Sequence, residues 1–177
     1  MNPIAAPEVG SRLSPPAAEA LRRLHEILRS GGPMVVGYSG GADSALLLKA
    51  AVDALGEGVL AVTAVSPSLP ASELEEAKAL AADIGARHRL VESHEMDDEG
   101  YRENSPRRCY FCKAELFRIL RAEADQAGFE RIAFGAITDD TGDFRPGMDA
   151  AREAGAVAPL LEARISKADV REISRHL

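Results

Sequence analysis

Three clusters of residues in this sequence have the types and the spacing for chemistry. The first is Ser39-Gly40-Gly41-Ala42-Asp43-Ser44, set between the apolar run Pro33 to Tyr38 and the apolar helical run Ala45 to Leu55. Paired glycines let a backbone turn tightly and approach a ligand, and a helix starting there offers unpaired N–H groups and the positive end of its dipole. Phosphate is the natural guest. No lysine stands between Gly37 and Ser44, so this is not the G-x-x-x-x-G-K-[ST] loop of kinases and GTPases. The second cluster, Arg107-Arg108-Cys109-Tyr110-Phe111-Cys112-Lys113, puts two thiols beside three cations, which favours thiolate and with it nucleophilic, redox or metal-binding behaviour. Structural zinc takes four ligands, and neither a second Cys-x-x-Cys nor a histidine pair follows. A reduced, inert pair at a helix start is the plainer alternative. The third cluster, Gly135 to Gly147, ends a strand and enters a loop dense in carboxylates with one arginine, Arg145. Its carboxylates suit Mg²⁺ held against phosphates, and Arg145 suits a bidentate grip on a phosphate or carboxylate. The alternative is a solvated acidic loop with an internal Asp–Arg pair.

The elements that must position these clusters alternate along the chain. Ser14-Pro15-Pro16 ahead of Leu21, Leu24 and Leu28, with Gly31-Gly32 behind, predicts a first helix, on which His25 is expected at the surface. Pro33 to Tyr38 and Val59 to Val65 are too uniformly apolar for a solvated face and read as buried strands of a parallel sheet, joined by the Ala45–Leu55 helix as one βαβ unit. Ser72 to Ile84 reads as a helix opened by a Ser72-x-x-Glu75 capping box, Arg87 to Val91 as a third strand, and Glu92 to Glu103 as a loop. Ala114 to Ala127 reads as a helix, Arg131 to Gly135 as a fourth strand and Ser166 to Leu177 as a last helix. The alternation predicts an α/β fold, an open doubly wound parallel sheet, with ligands in the crevice at the carboxyl ends of its strands.

The chain has 177 residues, 46% of them hydrophobic, enough for one domain with a sizeable core, here placed at residues 15–177 behind a flexible start over residues 1–14. There is no secretory signal and no long apolar run, so a cytoplasmic protein without a membrane partner is expected. The formal net charge of −7 argues against a general nucleic-acid surface. Two cysteines spaced for redox or metal chemistry fit a reducing compartment better than a structural disulfide.

Ser-Gly-Gly-x-Asp-Ser resembles the pyrophosphate loop of the PP-loop ATP pyrophosphatases, a superfamily that includes NAD, GMP and asparagine synthetases and tRNA-thiolation enzymes. With Arg-Cys-Tyr-Phe-Cys-Lys, then Gly-Ala-x-x-Asp-Asp-x-x-Asp-Phe-Arg-Pro-Gly, Ala158-Pro159-Leu160 and Ser166-Lys167-Ala168-Asp169-Val170-Arg171 in the same order, the chain from about Leu21 onward is similar to the LarE family, ATP-dependent sulfur transferases of nickel-pincer cofactor synthesis. The resemblance implies that ATP with Mg²⁺ adenylylates a carboxylate of pyridinium-3,5-dicarboxylate mononucleotide, pyrophosphate leaves, and sulfur replaces the activated oxygen. It implies a pyrophosphate grip by Ser39, Gly40, Gly41, Asp43 and Ser44, with Asp43 either orienting the loop or reaching Mg²⁺. Ser66 and Gly135 are placed near ATP, and Thr138, Asp140 and Arg145 on the substrate and phosphate side, with Asp43, Asp140 and Arg145 as the catalytic set. Family members use either a sacrificial cysteine or three cysteines on a [4Fe-4S] cluster. Cys109 and Cys112 match the first two of that set. The third, expected past Leu177, is not in this sequence, so the expectation is a domain without the family's C-terminal part. Relatives form rings, which makes a homo-oligomer an expectation by resemblance. Other PP-loop enzymes of the amide synthetase or tRNA thiolation type, and a nucleotide-binding domain without complete catalysis, are the competing readings.

Overall fold

Four short strands pair side by side into one parallel sheet, the apolar β1 (Met34–Gly37) and β2 (Val59–Val65), the largely charged edge strand β3 (Arg87–Glu92) and the short β4 (Arg131–Ala133), in the order β3-β2-β1-β4. The computed structural model describes residues 13–67, 69–94, 108–140 and 146–177. Val35 pairs with Leu60 on one side and Ile132 on the other, so the two central positions of β1 sit in register with both neighbours. Because side chains alternate across a strand, Val36, Ala61 and Ala133 fall on one face and Val35, Leu60, Val62 and Ile132 on the other, and each face has its own core. Around the strands the helices are α1 (Pro15–Gly31), α2 (Ala42–Leu55), α3 (Ala71–Ile84), α4 (Arg108–Ala127), α5 (Pro146–Glu153), α6 (Pro159–Glu162) and α7 (Lys167–His176). Helices α1, α2, α3 and α7 bury their apolar residues on the first face, α4 and α5 on the second. This is the expected doubly wound sheet.

Several boundaries differ from expectation, each for a local reason. The second helix begins at Ala42 rather than Ala45, so Asp43 and Ser44 lie in its first turn. The third begins at Ala71 behind Pro70, without a side-chain cap, since proline has already set the entry dihedral; Glu75 pairs with Lys78 at 2.7 Å and not with the helix start. The helix expected from Ala114 begins at Arg108 and takes both cysteines into its first two turns. β4 ends at Ala133, where its pairing with β1 stops, and not at Gly135. Pro146, read as part of a loop, starts α5. The last helix has the capping box that Ser72 lacks: the Ser166 hydroxyl accepts from the Asp169 N–H, and the Asp169 carboxylate accepts from the Ser166 N–H at 2.9 Å. His25 is not a surface residue. It is half-buried beside Lys49 and Asp53 of α2, its Nε2 is buried without a hydrogen-bond partner among the described residues, and burial holds its pKa below the ordinary value.

Candidate nucleotide-binding site

β1 delivers the chain to Ser39, and two features make the turn that follows tight. Gly40 has φ +80°, and a Cβ there would come within 2.9 Å of the Ala77 Cβ on α3, so only glycine fits both the dihedral and the space. Gly41 then caps α2 with extended backbone and no side chain, which leaves the first-turn N–H groups without intrahelical acceptors. Ser44 ties the turn together. Its hydroxyl donates to the Gly41 carbonyl at 2.9 Å and accepts from the Ser39 N–H at 3.2 Å, while the Ser39 hydroxyl lies 3.1 Å away. One hydroxyl has one proton, so with Ser44 donating to Gly41 the Ser39 hydroxyl is the donor to Ser44. Ser44 is buried and spends its hydroxyl on the loop itself, whereas Ser39 is exposed.

Gly135 enters for a packing reason. A Cβ on it would stand 3.0 Å from the Ser44 nitrogen and 3.1 Å from the Asp43 carbonyl carbon, so glycine lets the segment after β4 lie against the start of α2. Beyond it the short turn Thr138–Asp140 is fastened to the segment leading into α7. The Thr138 N–H donates to the Ile165 carbonyl at 3.0 Å, and the Asp140 carboxylate accepts from the Ile137 N–H at 3.1 Å. Asp139 accepts from the Lys167 N–H at 3.0 Å.

Lys167 is the functional candidate that the sequence reading quoted without a role. Its ammonium meets both carboxylate oxygens of Asp43, at 2.8 and 2.9 Å, from 124 residues away along the chain. The cation missing from the loop itself is therefore supplied by the first turn of α7. The Ser166-x-x-Asp169 box was the available signal, because it places Lys167 at a helix start.

A cleft of about 680 Å³ opens along the carboxyl ends of the strands. The Ser39, Gly41, Asp43 and Ser44 loop forms one wall, Cys109, Cys112 and Lys113 of α4 another, and Thr63, Ser93, Gly135, Asp140 and Met148 complete it. The glycine loop and the cysteine pair, separate clusters in the sequence, thus share one cavity. Ser66 and Thr138 are not among the lining residues, and Arg145 lies outside the described residues. Tyr38 backs the loop: its hydroxyl donates to the Ala77 carbonyl at 3.0 Å, and burial raises its pKa. Among the described residues no group of three or more His, Cys, Asp or Glu side chains converges as a metal site, and two thiols alone complete neither a zinc site nor a cluster. Among the same residues no helix is long and apolar enough to cross a membrane.

The family model for NAD synthase matches residues 23–118, more than half of the chain, and spans the glycine loop and both cysteines. The chain belongs to the NAD synthase family. This chain is 48% identical over 143 residues to the uncharacterised protein slr1717 of Synechocystis sp., covering 81% of this chain and 53% of that protein. It is 36% identical over 145 residues to the pyridinium-3,5-bisthiocarboxylic acid mononucleotide synthase of Lactiplantibacillus plantarum, covering 81% and 52%. That protein is a LarE enzyme, and the likeness agrees with the motif resemblance. The chain spans about half the length of the curated relatives it matches. Among solved structures, the fold is shared with the NH3-dependent NAD synthetase of Campylobacter jejuni, at TM-score 0.70 and 16% identity over 90% of this chain and 72% of that one. It is shared also with the glutamine-dependent NAD+ synthetase of Acinetobacter baumannii in complex with ADP, at TM-score 0.63 and 22% identity over 98% and 34%.

Proposed function

We propose that this chain is the nucleotide-activating domain of an ATP-dependent sulfurtransferase that adenylylates a carboxylate of pyridinium-3,5-dicarboxylate mononucleotide. The observation that carries this reading is the shared cleft, with the glycine loop and helix start at one wall and a cysteine pair at another. Activation takes place at the loop. The substrate carboxylate oxygen attacks the α-phosphorus of ATP, the bridging bond to the β-phosphate breaks, and pyrophosphate leaves with the bonding electrons. Ser39 and the first-turn N–H groups of α2 meet the developing charge on the leaving group. Asp43, ion-paired here with Lys167, would hold the Mg²⁺ of Mg·ATP, which would supply neutralisation of the phosphate charge, and Lys167 would supply a second cation beside it. Asp140 and Arg145 are assigned to the substrate side. Thr138 braces that wall through Ile165, and Ser66 is assigned to the rim near the adenosine. A hydrosulfide-level nucleophile then attacks the acyl carbon, the bond to the AMP oxygen breaks with its electrons leaving on AMP, and loss of the S–H proton gives the thiocarboxylate. Cys109 and Cys112 line the same cleft, and they would hold two positions of an iron–sulfur cluster that would supply sulfide there. The 36% identity to a bisthiocarboxylic acid mononucleotide synthase supports the substrate class.

The test is ³¹P NMR of the chain with Mg·ATP, with and without the pyridinium dicarboxylate mononucleotide, under anaerobic conditions. AMP and pyrophosphate that form only with the mononucleotide are expected. ATP binding without cleavage in either case would reduce the chain to a nucleotide-binding domain. Asp43→Asn is expected to weaken Mg·ATP turnover about tenfold or more, since interactions with a charged group contribute roughly 1.5–3 kcal/mol. It should leave stability within about 1 kcal/mol, because the Asp43–Lys167 pair is part-exposed.

A further inference from the structure

We infer that His88, on the outer strand of the sheet and away from the cleft lining, is a positioning residue for the glycine loop, acting through Thr63 and the Tyr38–Ser39 peptide group. The inference takes that loop as the pyrophosphate cradle of the proposed function.

The chain of contacts is continuous. His88 Nε2 lies 2.8 Å from the Thr63 hydroxyl, and that hydroxyl lies 2.6 Å from the Tyr38 carbonyl oxygen. Proton bookkeeping fixes the direction. A carbonyl only accepts, so the Thr63 proton points at Tyr38; the Thr63 oxygen therefore accepts from His88, which must be the Nε2–H tautomer. The Tyr38 carbonyl and the Ser39 N–H belong to one resonant amide, so a donor on the oxygen strengthens the N–H on the other side. That N–H donates to Ser44, and Ser44 donates to Gly41. One unidirectional relay thus runs from the sheet edge to the cap of α2.

The surroundings keep the relay in place. Thr63 is 3% exposed and Tyr38 2%, so water does not compete for the carbonyl. The His88 ring stands edge-on to the Tyr38 ring, with centroids 5.4 Å apart. The Tyr38 hydroxyl is held by Ala77, the residue against which Gly40 packs. Burial, followed by the charge of Lys78, holds the His88 pKa below its ordinary value. Beside its ring contact with Tyr38, the hydrogen bond His88 makes among the described residues is this donation to Thr63.

The experiment uses the intact chain and three variants. His88→Phe keeps an edge-on ring and removes the donor, His88→Gln restores an N–H at the reach of Nε2, and Thr63→Val removes the middle of the relay. In the ligand-free wild type, long-range ¹H–¹⁵N spectra should give the Nε2–H tautomer, and the Ser39 amide proton should move upfield in His88→Phe but not in His88→Gln. Binding of Mg·pyrophosphate and Mg·ATP, read by calorimetry, should weaken about three- to tenfold in His88→Phe, as for loss of one hydrogen bond, and recover to within about twofold in His88→Gln. Combining His88→Phe with Thr63→Val should cost no more than Thr63→Val alone, because both break one chain. A Nδ1–H tautomer, an unmoved Ser39 amide, or additive losses in the double variant would overturn the relay. A wild type that binds neither ligand would overturn the functional reading, and with it any service of His88 to a ligand, while the Ser39 amide still decides whether the relay exists.

Discussion

At the scale of single residues, the loop has little freedom. Gly40→Ala places a Cβ against Ala77 and imposes a positive φ on an L side chain, so we expect about 1–3 kcal/mol of destabilisation in urea unfolding and a loss of pyrophosphate affinity larger than stability alone predicts. Ser44→Ala removes one donor and two acceptor contacts from a buried site. It should weaken Mg·ATP binding by calorimetry, while the fold loses about 1–3 kcal/mol from groups left unsatisfied. The two substitutions separate space from hydrogen bonding: the first acts by displacement of α3, the second by slackening the cap of α2.

At the scale of elements, the contact between α7 and the loop depends on the turn between α6 and α7. Arg164 is the one non-glycine residue with positive φ among those described, at +58°. Its left-handed turn directs the Ile165 carbonyl at Thr138 and sets Lys167 at the start of α7. Arg164→Gly should be close to neutral, since relief of strain offsets added chain entropy, whereas Arg164→Val should cost about 1–2 kcal/mol in chemical unfolding. Turns of this kind explain what was and was not legible beforehand. The strands and the Ser39–Ser44 loop could be read because apolar runs and glycine pairs are local signals. The pairing of Lys167 with Asp43 could not, because it depends on a tertiary path across α7. Likewise His25 looked like a surface residue among polar neighbours, and only the packing of α1 on α2 buries its ring. The capping box at Ser72 failed because Pro70 had already begun the helix.

For the molecule as a whole, His25 and His88 are both held below their ordinary value of 6.5, burial being the main cause. The folded chain therefore binds fewer protons than the unfolded chain once the pH drops through that value, so stability complete above it declines on acidification. The urea midpoint should fall as the pH is lowered through 6.5, and by less in His25→Leu, which has no half-buried imidazole at that position to protonate. The strand order also orders events in time. β1, β2 and β3 follow one another along the chain, joined by single helices, while β4 pairs back to β1 from Arg131. Closing the longer loop costs more chain entropy, so the first three strands are expected to assemble early and β4 to dock last. Since Gly135 and Asp140 follow β4, the cleft comes into being only at that final docking. In pulse-labelled refolding, protection of β1 and β2 should therefore precede nucleotide binding, and ATP should stabilise the finished chain without hastening its formation.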